Sequence, residues 1–143
     1  MQRIDHIVRA EAKKDQSVID TIALTWEERQ KSRQKLRTAP GQEIALALPT
    51  GTRLHAGDLL AIAEGWIEVR LALEDVLFIK PRSLREAAFV AYQIGNRHLP
   101  LEIMEDGLQT LYEPVLAAYF RQQAMPTERV QRPFTPSALR QDI

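Results

Sequence analysis

Hydrophobic and polar positions alternate along the first half of the chain, and this pattern predicts short β-strands. The strands are predicted at residues 19–23, 43–48, 59–63 and 66–71. Turn-forming residues separate them, among them Pro40-Gly41, Pro49-Thr50-Gly51 and Ala56-Gly57-Asp58. Glu64-Gly65 between the last two strands favours a compact hairpin. Many short strands with regular turns predict a small all-β domain.

The second half of the chain has the period of amphipathic helices. Ser83, followed three residues later by Glu86, matches a capping box at a helix start. The spacing predicts that one apolar face of this helix carries Leu84, Ala87, Ala88, Ala91 and Ile94. Gly95 is expected to end the helix in the left-handed conformation, and Pro100 prevents its continuation.

The remaining predicted elements complete a recognisable order. Strands are predicted at residues 76–80, 101–104, 108–112 and 127–132, and Pro114 opens a second helix over residues 115–123. The order β-α-β-β-α-β is typical of ferredoxin-like domains. We therefore predict an α+β fold: a small all-β domain over residues 1–74, then a ferredoxin-like βαββαβ domain over residues 75–143 with an irregular tail that begins at Pro133.

Composition restricts the function classes. The 143 residues carry 19 basic and 19 acidic side chains, so a polycationic surface for nucleic acid is not expected. No run of 18 apolar residues is present, and the charged N-terminus lacks the apolar core of a signal peptide, so no membrane association is expected. The absence of cysteine fits a cytoplasmic protein without disulfides or thiolate ligands.

Catalytic motifs are not found in the sequence. It contains no nucleophile elbow, P-loop, dinucleotide-binding glycine turn or His-Glu-x-x-His motif, so an enzyme is not expected. Metal chemistry would depend on the three histidines, His6, His55 and His98, aided by carboxylates or water. Metal delivery, a metal-independent protein-binding scaffold and an RNA-binding module remain as alternatives, and the low aromatic content of 6% places the RNA-binding module last.

One segment resembles a known signature. Gly95-Asn96-Arg97-His98 is followed by an apolar residue, Pro100 and Leu101, and residues 91–103 are similar to the signature of the UreE urease accessory proteins, which are nickel metallochaperones. The resemblance extends in order to the basic run at residues 29–37, Leu54-His55-Ala56-Gly57-Asp58, Asp106-Gly107-Leu108 and Pro133-Phe134-Thr135-Pro136.

The resemblance implies a function for each domain. It implies a partner- or peptide-binding N-terminal domain and a second domain for metal binding and dimerisation. The protein would deliver Ni²⁺ for nickel insertion into urease as a homodimer, with urease apoprotein and its accessory GTPase as partners. Zn²⁺ or Cu²⁺ is expected to substitute in vitro.

The same resemblance assigns His98 as the metal ligand, contributed by both protomers across a two-fold axis. Glu113 is a weak auxiliary candidate, although a carboxylate at a helix start is equally explained by the helix dipole. Many relatives have a His-x-His pair where this chain has Tyr112-Glu113-Pro114, and a histidine-rich tail where residues 137–143 have none. About one tightly held ion per dimer is therefore expected.

Three further features have less specific interpretations. His6, placed in a predicted first strand, and His55, beside a turn, are expected to be incidental. Arg97 is expected either to neutralise a carboxylate or to be solvated. Residues 29–37 place cations at alternating positions, hence on one face of a strand. Such a face either protects a sheet edge or docks an acidic partner.

Overall fold

The computed structural model describes residues 1–12 and 16–136, and the chain divides into two compact units. The first is Met1–Ala72 and the second begins at Leu73. Strands dominate the first unit, and both longer helices belong to the second. The α+β fold predicted from the sequence is confirmed. Of the predicted tail, residues 133–136 contain neither helix nor strand and Phe134 is buried, and the rest lies outside the described residues.

The first unit contains two sheets around one apolar core. Its strands are β1 (Gln2–Ile4), β2 (Ile7–Val8), β3 (Val18–Leu24), β4 (Arg33–Arg37), β5 (Glu43–Ala47), β6 (Leu59–Ile62) and β7 (Gly65–Leu71). One sheet has the order β1-β5-β4 and the other β2-β6-β7-β3. A short 3-10 helix (Ala10–Ala12) and helix α1 (Trp26–Arg29) connect strands. Alternate residues of β5, Ile44 and Leu46, are buried in the core, as a period of two requires.

The second unit has ferredoxin-like connectivity. Its elements are β8 (Glu74–Ile79), α2 (Leu84–Asn96), β9 (Glu102–Ile103), β10 (Leu108–Leu111), α3 (Pro114–Gln122) and β11 (Thr127–Arg132). The antiparallel ladders give the strand order β11-β8-β10-β9. Strand β9, which follows helix α2, does not pair with β8, because β10 lies between them. The unit is therefore a split βαβ arrangement. The predicted βαββαβ order is therefore observed.

Helix α2 buries a face that only partly overlaps the predicted one, with Ile94 common to both. Val90 and Ile94 are fully buried, whereas Leu84 is 87% exposed and Ala88 is also exposed. The predicted residues and the buried residues both satisfy helical spacing. Packing against Leu77 and Ile79 of β8 selects the face that contains Val90 and Ile94. The prediction that Leu84 belongs to the core was wrong. Ser83 caps the helix by accepting the N–H of Glu86 at 3.1 Å, but Glu86 accepts the N–H of Arg82 and does not close a capping box.

The basic run is only partly a strand. Arg29 ends helix α1 and is 3% exposed, and its Nη1 donates to the carbonyl of Leu24 at 2.7 Å. The prediction of one continuous cationic strand face over residues 29–37 was therefore wrong at its start. Thr25 and Glu28 form the capping box that begins this short helix. Only Arg33, Lys35 and Arg37 share the exposed face of β4.

No helix within the described part of the chain combines the length and the apolar character needed to span a membrane.

Candidate metal centre

His98 lies in the turn that ends helix α2. The N–H of His98 donates to the carbonyl of Gly95 at 2.9 Å, and the N–H of Leu99 donates to the carbonyl of Ile94 at 3.2 Å. Arg97 is the C-cap residue. These two hydrogen bonds, together with one left-handed residue directly after the C-cap, constitute a Schellman motif.

The left-handed residue of this motif is His98 itself, with φ of 59°. The prediction that Gly95 is the left-handed C-cap was wrong, because the helix continues through Gly95 to Asn96. A left-handed backbone costs a residue with a Cβ about 1–2 kcal/mol, although histidine adopts it more readily than most residues. The turn positions an exposed imidazole just beyond the helix end.

Packing on both sides holds this turn in place. Ile94 is fully buried before it, and Leu99 packs against the same core after it. The next residue, Pro100, accepts a hydrogen bond from Thr110 Oγ1 at 2.7 Å. The imidazole is therefore exposed while its backbone is anchored to helix and sheet.

Arg97 has partners that the sequence did not indicate. Its Nη1 donates to the carbonyl of Gln93 at 3.0 Å and to the side-chain oxygen of Gln93 at 2.8 Å. Its guanidinium also lies 5.1 Å from the ring centroid of Tyr119. The expectation that Arg97 is either solvated or paired with a carboxylate was wrong: the side chain bridges α2 and α3 beside His98.

The surface next to His98 is a shallow apolar groove between the two helices. Arg97 from the end of α2 faces α3 in this groove, and the start of α2 adjoins the residues that follow α3, so the helices are antiparallel. Its lining is formed by Arg97, Pro114, Val115, Ala118, Tyr119 and Gln122. Val115 is 70% exposed, and Tyr92 on the outer face of α2 is 58% exposed. Sequence analysis missed both, although each lies off the buried face of its helix.

Glu113 acts as a helix cap. One carboxylate oxygen accepts the N–H of Val115 at 3.1 Å and the other accepts the N–H of Leu116 at 2.7 Å. It precedes Pro114, which lines the groove beside Arg97, so Glu113 and His98 each adjoin a residue of the same groove. Its capping bonds match the helix-start interpretation of this carboxylate.

The other histidines lie in the first unit. His6 is exposed in the connection between β1 and β2, not in a strand, and its ring is 6.2 Å from that of Trp66. His55 is exposed in a turn organised by Asp58, which accepts the His55 N–H at 2.8 Å and pairs with Arg9 at 2.7 Å. Sequence analysis missed this role of Asp58, which is 1% exposed.

A single chain offers one imidazole at the centre. Across residues 1–12 and 16–136, no group of three or more His, Cys, Asp or Glu side chains is placed to hold a metal ion. A lone exposed imidazole is a weak ligand set, and a second copy across a two-fold axis would supply the same residue again. Imidazole suits divalent nickel, copper and zinc.

Comparison with known proteins identifies similar sequences over almost the whole chain. The model of the N-terminal domain of the UreE urease accessory protein matches residues 2–72, and the model of its C-terminal domain matches residues 74–142. A urease accessory protein UreE from Synechococcus sp. (strain JA-3-3Ab) is 40% identical over 123 residues, which are 85% of this chain and 82% of that protein.

Two longer relatives show the same similarity over a smaller share of their length. The urease accessory protein UreE of Paraburkholderia xenovorans (strain LB400) is 35% identical over 82% of this chain and 53% of its own. That of Cupriavidus necator (strain ATCC 17699) is 39% identical over 82% of this chain and 62% of its own. The chain thus spans little more than half the length of these two proteins.

Proposed function

Because the chain belongs to the UreE family of urease accessory proteins, we propose that it is a nickel metallochaperone that binds Ni²⁺ through His98 and delivers it during urease maturation. It acts as a homodimer in which the two His98 side chains share one ion. The observation that carries the proposal is the exposed imidazole on an anchored left-handed turn.

The proposed dimer supplies the second ligand. One imidazole per chain holds nickel weakly, and a two-fold axis beside His98 would bring a second imidazole to the same ion. Water or a labile carboxylate, with Glu113 as the auxiliary candidate, would fill further positions. Open positions suit a carrier, because an acceptor's ligands attach before those of the donor leave.

An exposed apolar stripe on α2 supports self-association. Leu84, Ala88, Tyr92 and Gly95 are all exposed. At about 100° per residue they fall within an arc of about 80°. Among the described residues, the large side chains of Leu84 and Tyr92 are 87% and 58% exposed. The stripe ends at Gly95, whose carbonyl accepts the N–H of His98. Exposed apolar surface of this kind is typical of protein–protein contacts.

The proposed role is non-catalytic and depends on partners. By family membership, urease apoprotein and the accessory GTPase are the expected partners, and the cytoplasm is the expected compartment. A metal-independent scaffold is the second candidate, because β4 presents an open cationic edge that does not involve His98.

Calorimetric titration of full-length protein with Ni²⁺ separates the two candidates. We expect His98→Asn to abolish tight binding, because asparagine tolerates the left-handed conformation but lacks the imidazole. His55→Asn removes a histidine from the other unit and should leave the affinity unchanged. Nickel binding by His98→Asn with wild-type affinity would exclude His98 as the ligand. Absence of binding in the wild type would favour the scaffold.

Acidification provides a second readout in the same titration. Protons compete with Ni²⁺ for imidazole, so the affinity should fall as the pH is lowered from mildly alkaline to mildly acidic. An affinity unchanged between mildly alkaline and mildly acidic pH would indicate carboxylate ligands instead.

A further inference from the structure

The open edge of β4 in the first unit carries unpaired positive charge. β4 is an outer strand of the sheet β1-β5-β4. Arg33, Lys35 and Arg37 are exposed on one face of it. Arg37 pairs with Glu43 on β5 at 2.6 Å. Within the described chain, Arg33 and Lys35 have no ion-pair partner.

The strand register extends this charge across the sheet. Lys35 lies opposite Ala45 of β5, and Ala45 lies opposite Arg3 of β1. Arg33 lies opposite Ala47. Laterally paired residues point to the same side of a sheet, so the small Ala45 lies between the cations Lys35 and Arg3, whereas Ala47 has a cation only on the β4 side. Asp5 follows directly after β1, and Glu43 is neutralised by Arg37. The face remains positive.

The backbone of the same residues is directed to the open edge. Thr38 donates its N–H to Gln42 at 2.9 Å, and the carbonyl of Ser32 accepts the N–H of Leu48 at 3.0 Å. Even-numbered residues of β4 therefore bond to β5. In an antiparallel ladder the alternate residues point their N–H and C=O groups the other way. These three residues, Arg33, Lys35 and Arg37, thus direct their backbone N–H and C=O groups to the open edge of the sheet. Their charged side chains lie on its exposed face.

We propose that β4 binds an extended acidic segment of a protein partner by strand addition, with acidic side chains at every second position. Alternate residues of a strand are roughly 6.6 Å apart, so carboxylates spaced in this way would face Arg33, Lys35 and Arg37 in turn. Backbone bonds to the edge provide affinity and the side-chain pairs provide specificity. The site is independent of nickel binding at His98.

The charges also select against the wrong partner. An open edge would otherwise pair with the same edge of a second copy. Two copies of β4 would place like charges opposite each other, which is destabilising. The same cations attract an acidic strand, so one feature rejects self-pairing and favours the proposed partner.

On the inner face of the sheet, the side chains of β4 already make contacts within the first unit. Gln34 donates Nε2 to the carbonyl of Glu28 at 2.6 Å, and Leu36 is buried in the core. The side chains of an added strand would therefore be recognised mainly on the outer face of the sheet. This is why the recognition element is the alternation of acidic residues and not the identity of the residues between them.

The probe is a fluorescein-labelled peptide of alternating Glu and Thr, measured by anisotropy with the full-length protein. We expect binding that weakens with salt, and at least a tenfold loss of affinity in Lys35→Glu. Lys35→Pro removes the charge together with an outward N–H and is tolerated at an edge strand, so it should lose more affinity than the variant that removes the charge alone. Lys35→Gln tests the charge without backbone change. Arg85→Glu alters net charge equally on an exposed site of α2 and should bind normally.

Three results would overturn the proposal. The first is no binding of the alternating peptide by wild-type protein. The second is equal binding of a peptide with the same composition in separate Glu and Thr blocks, or a loss in folded Lys35→Pro no greater than in Lys35→Gln, since either would mean attraction by charge without strand addition. The third is tighter binding of an oligothymidylate, which would identify a nucleic-acid surface. Circular dichroism of each variant confirms that it is folded.

Discussion

His98 and Ala124 occupy the same position in two copies of one helix-ending motif. His98 follows α2 with φ of 59°, and Ala124 follows α3 with φ of 57°. After Ala124, the N–H of Met125 donates to the carbonyl of Phe120 at 3.0 Å, matching the bond from Leu99 to Ile94. A proline follows one residue later in both cases. One motif exposes a potential ligand and the other a methyl group.

Ala124→Gly should stabilise the second unit by about 0.5–1 kcal/mol, because glycine adopts the left-handed conformation without the steric cost of a Cβ. Helices α2 and α3 belong to this unit, so urea denaturation followed by circular dichroism at the helical band reports its unfolding. A midpoint that is unchanged or lowered would contradict the motif at this helix end.

His98→Gly is the paired test of the metal centre. The same argument predicts unchanged or higher stability in urea, because the position is left-handed in both motifs. Nickel binding should nevertheless be lost, because the imidazole is removed. A stable variant without nickel binding would separate the ligand role of His98 from its role in the fold. A marked loss of stability would mean that the imidazole itself supports the turn.

Gly95→Ala tests the proposed dimer contact. Beyond its chain neighbours and its own helical backbone, an added Cβ at Gly95 meets no atom of the described residues within 4 Å, and alanine is favoured over glycine inside a helix by about 1 kcal/mol. The isolated chain should therefore be as stable or more stable. If a second copy approaches the end of the stripe closely, the methyl group should weaken dimerisation in sedimentation equilibrium. A dimer as tight as the wild type would place the contact elsewhere.

Asp58→Asn should destabilise the first unit by roughly 2 kcal/mol, because the buried carboxylate loses its charge opposite Arg9 and one of the two oxygens that accept backbone N–H groups. These groups belong to Ala10 and His55. Both tryptophans lie in this unit, so their fluorescence follows its unfolding in urea. Glu43→Gln, which removes an exposed ion pair, is the control and should have little effect. Equal effects of the two substitutions would refute the role of Asp58.

The pair between Asp75 and Arg129 should make the second unit sensitive to acid. Hydrogen bonds from the Arg129 side chain hold the pKa of Asp75 below its usual value of 3.8. A carboxyl group with a lowered folded-state pKa stabilises the fold above its unfolded pKa, and this contribution is lost as the pH falls through the folded value. Asp75→Asn should flatten the pH dependence of unfolding in that acidic range. A variant with the wild-type slope would exclude this pair as its source.

Part of the fold follows directly from local sequence signals. Strand β11 was predicted at residues 127–132 and is observed as Thr127–Arg132. Pro114 begins α3 as predicted, because proline at the first helical position loses no hydrogen bond. These signals act within a few residues, so their positions can be assigned without knowledge of the packing.

Features decided by packing were harder to predict. Propensity places the left-handed residue at Gly95, but burial of Ile94 and Leu99 sets the motif so that His98 takes this conformation. The sequence does contain a signal for this motif, because an apolar pair five residues apart brackets each helix end. The pair is Ile94 and Leu99 for α2, and Phe120 and Met125 for α3. Likewise, the Thr25-x-x-Glu28 pattern indicated the short helix that removes Arg29 from the strand.

The stoichiometry of nickel binding tests the central claim most directly. Equilibrium dialysis of full-length protein, with the oligomeric state measured by sedimentation on the same sample, should give about one tightly bound Ni²⁺ per dimer, and none for His98→Asn. A monomeric variant should lose most of the affinity, because it offers a single imidazole. Two or more tight ions per chain, or full affinity in a monomer, would contradict a site shared between two His98 side chains.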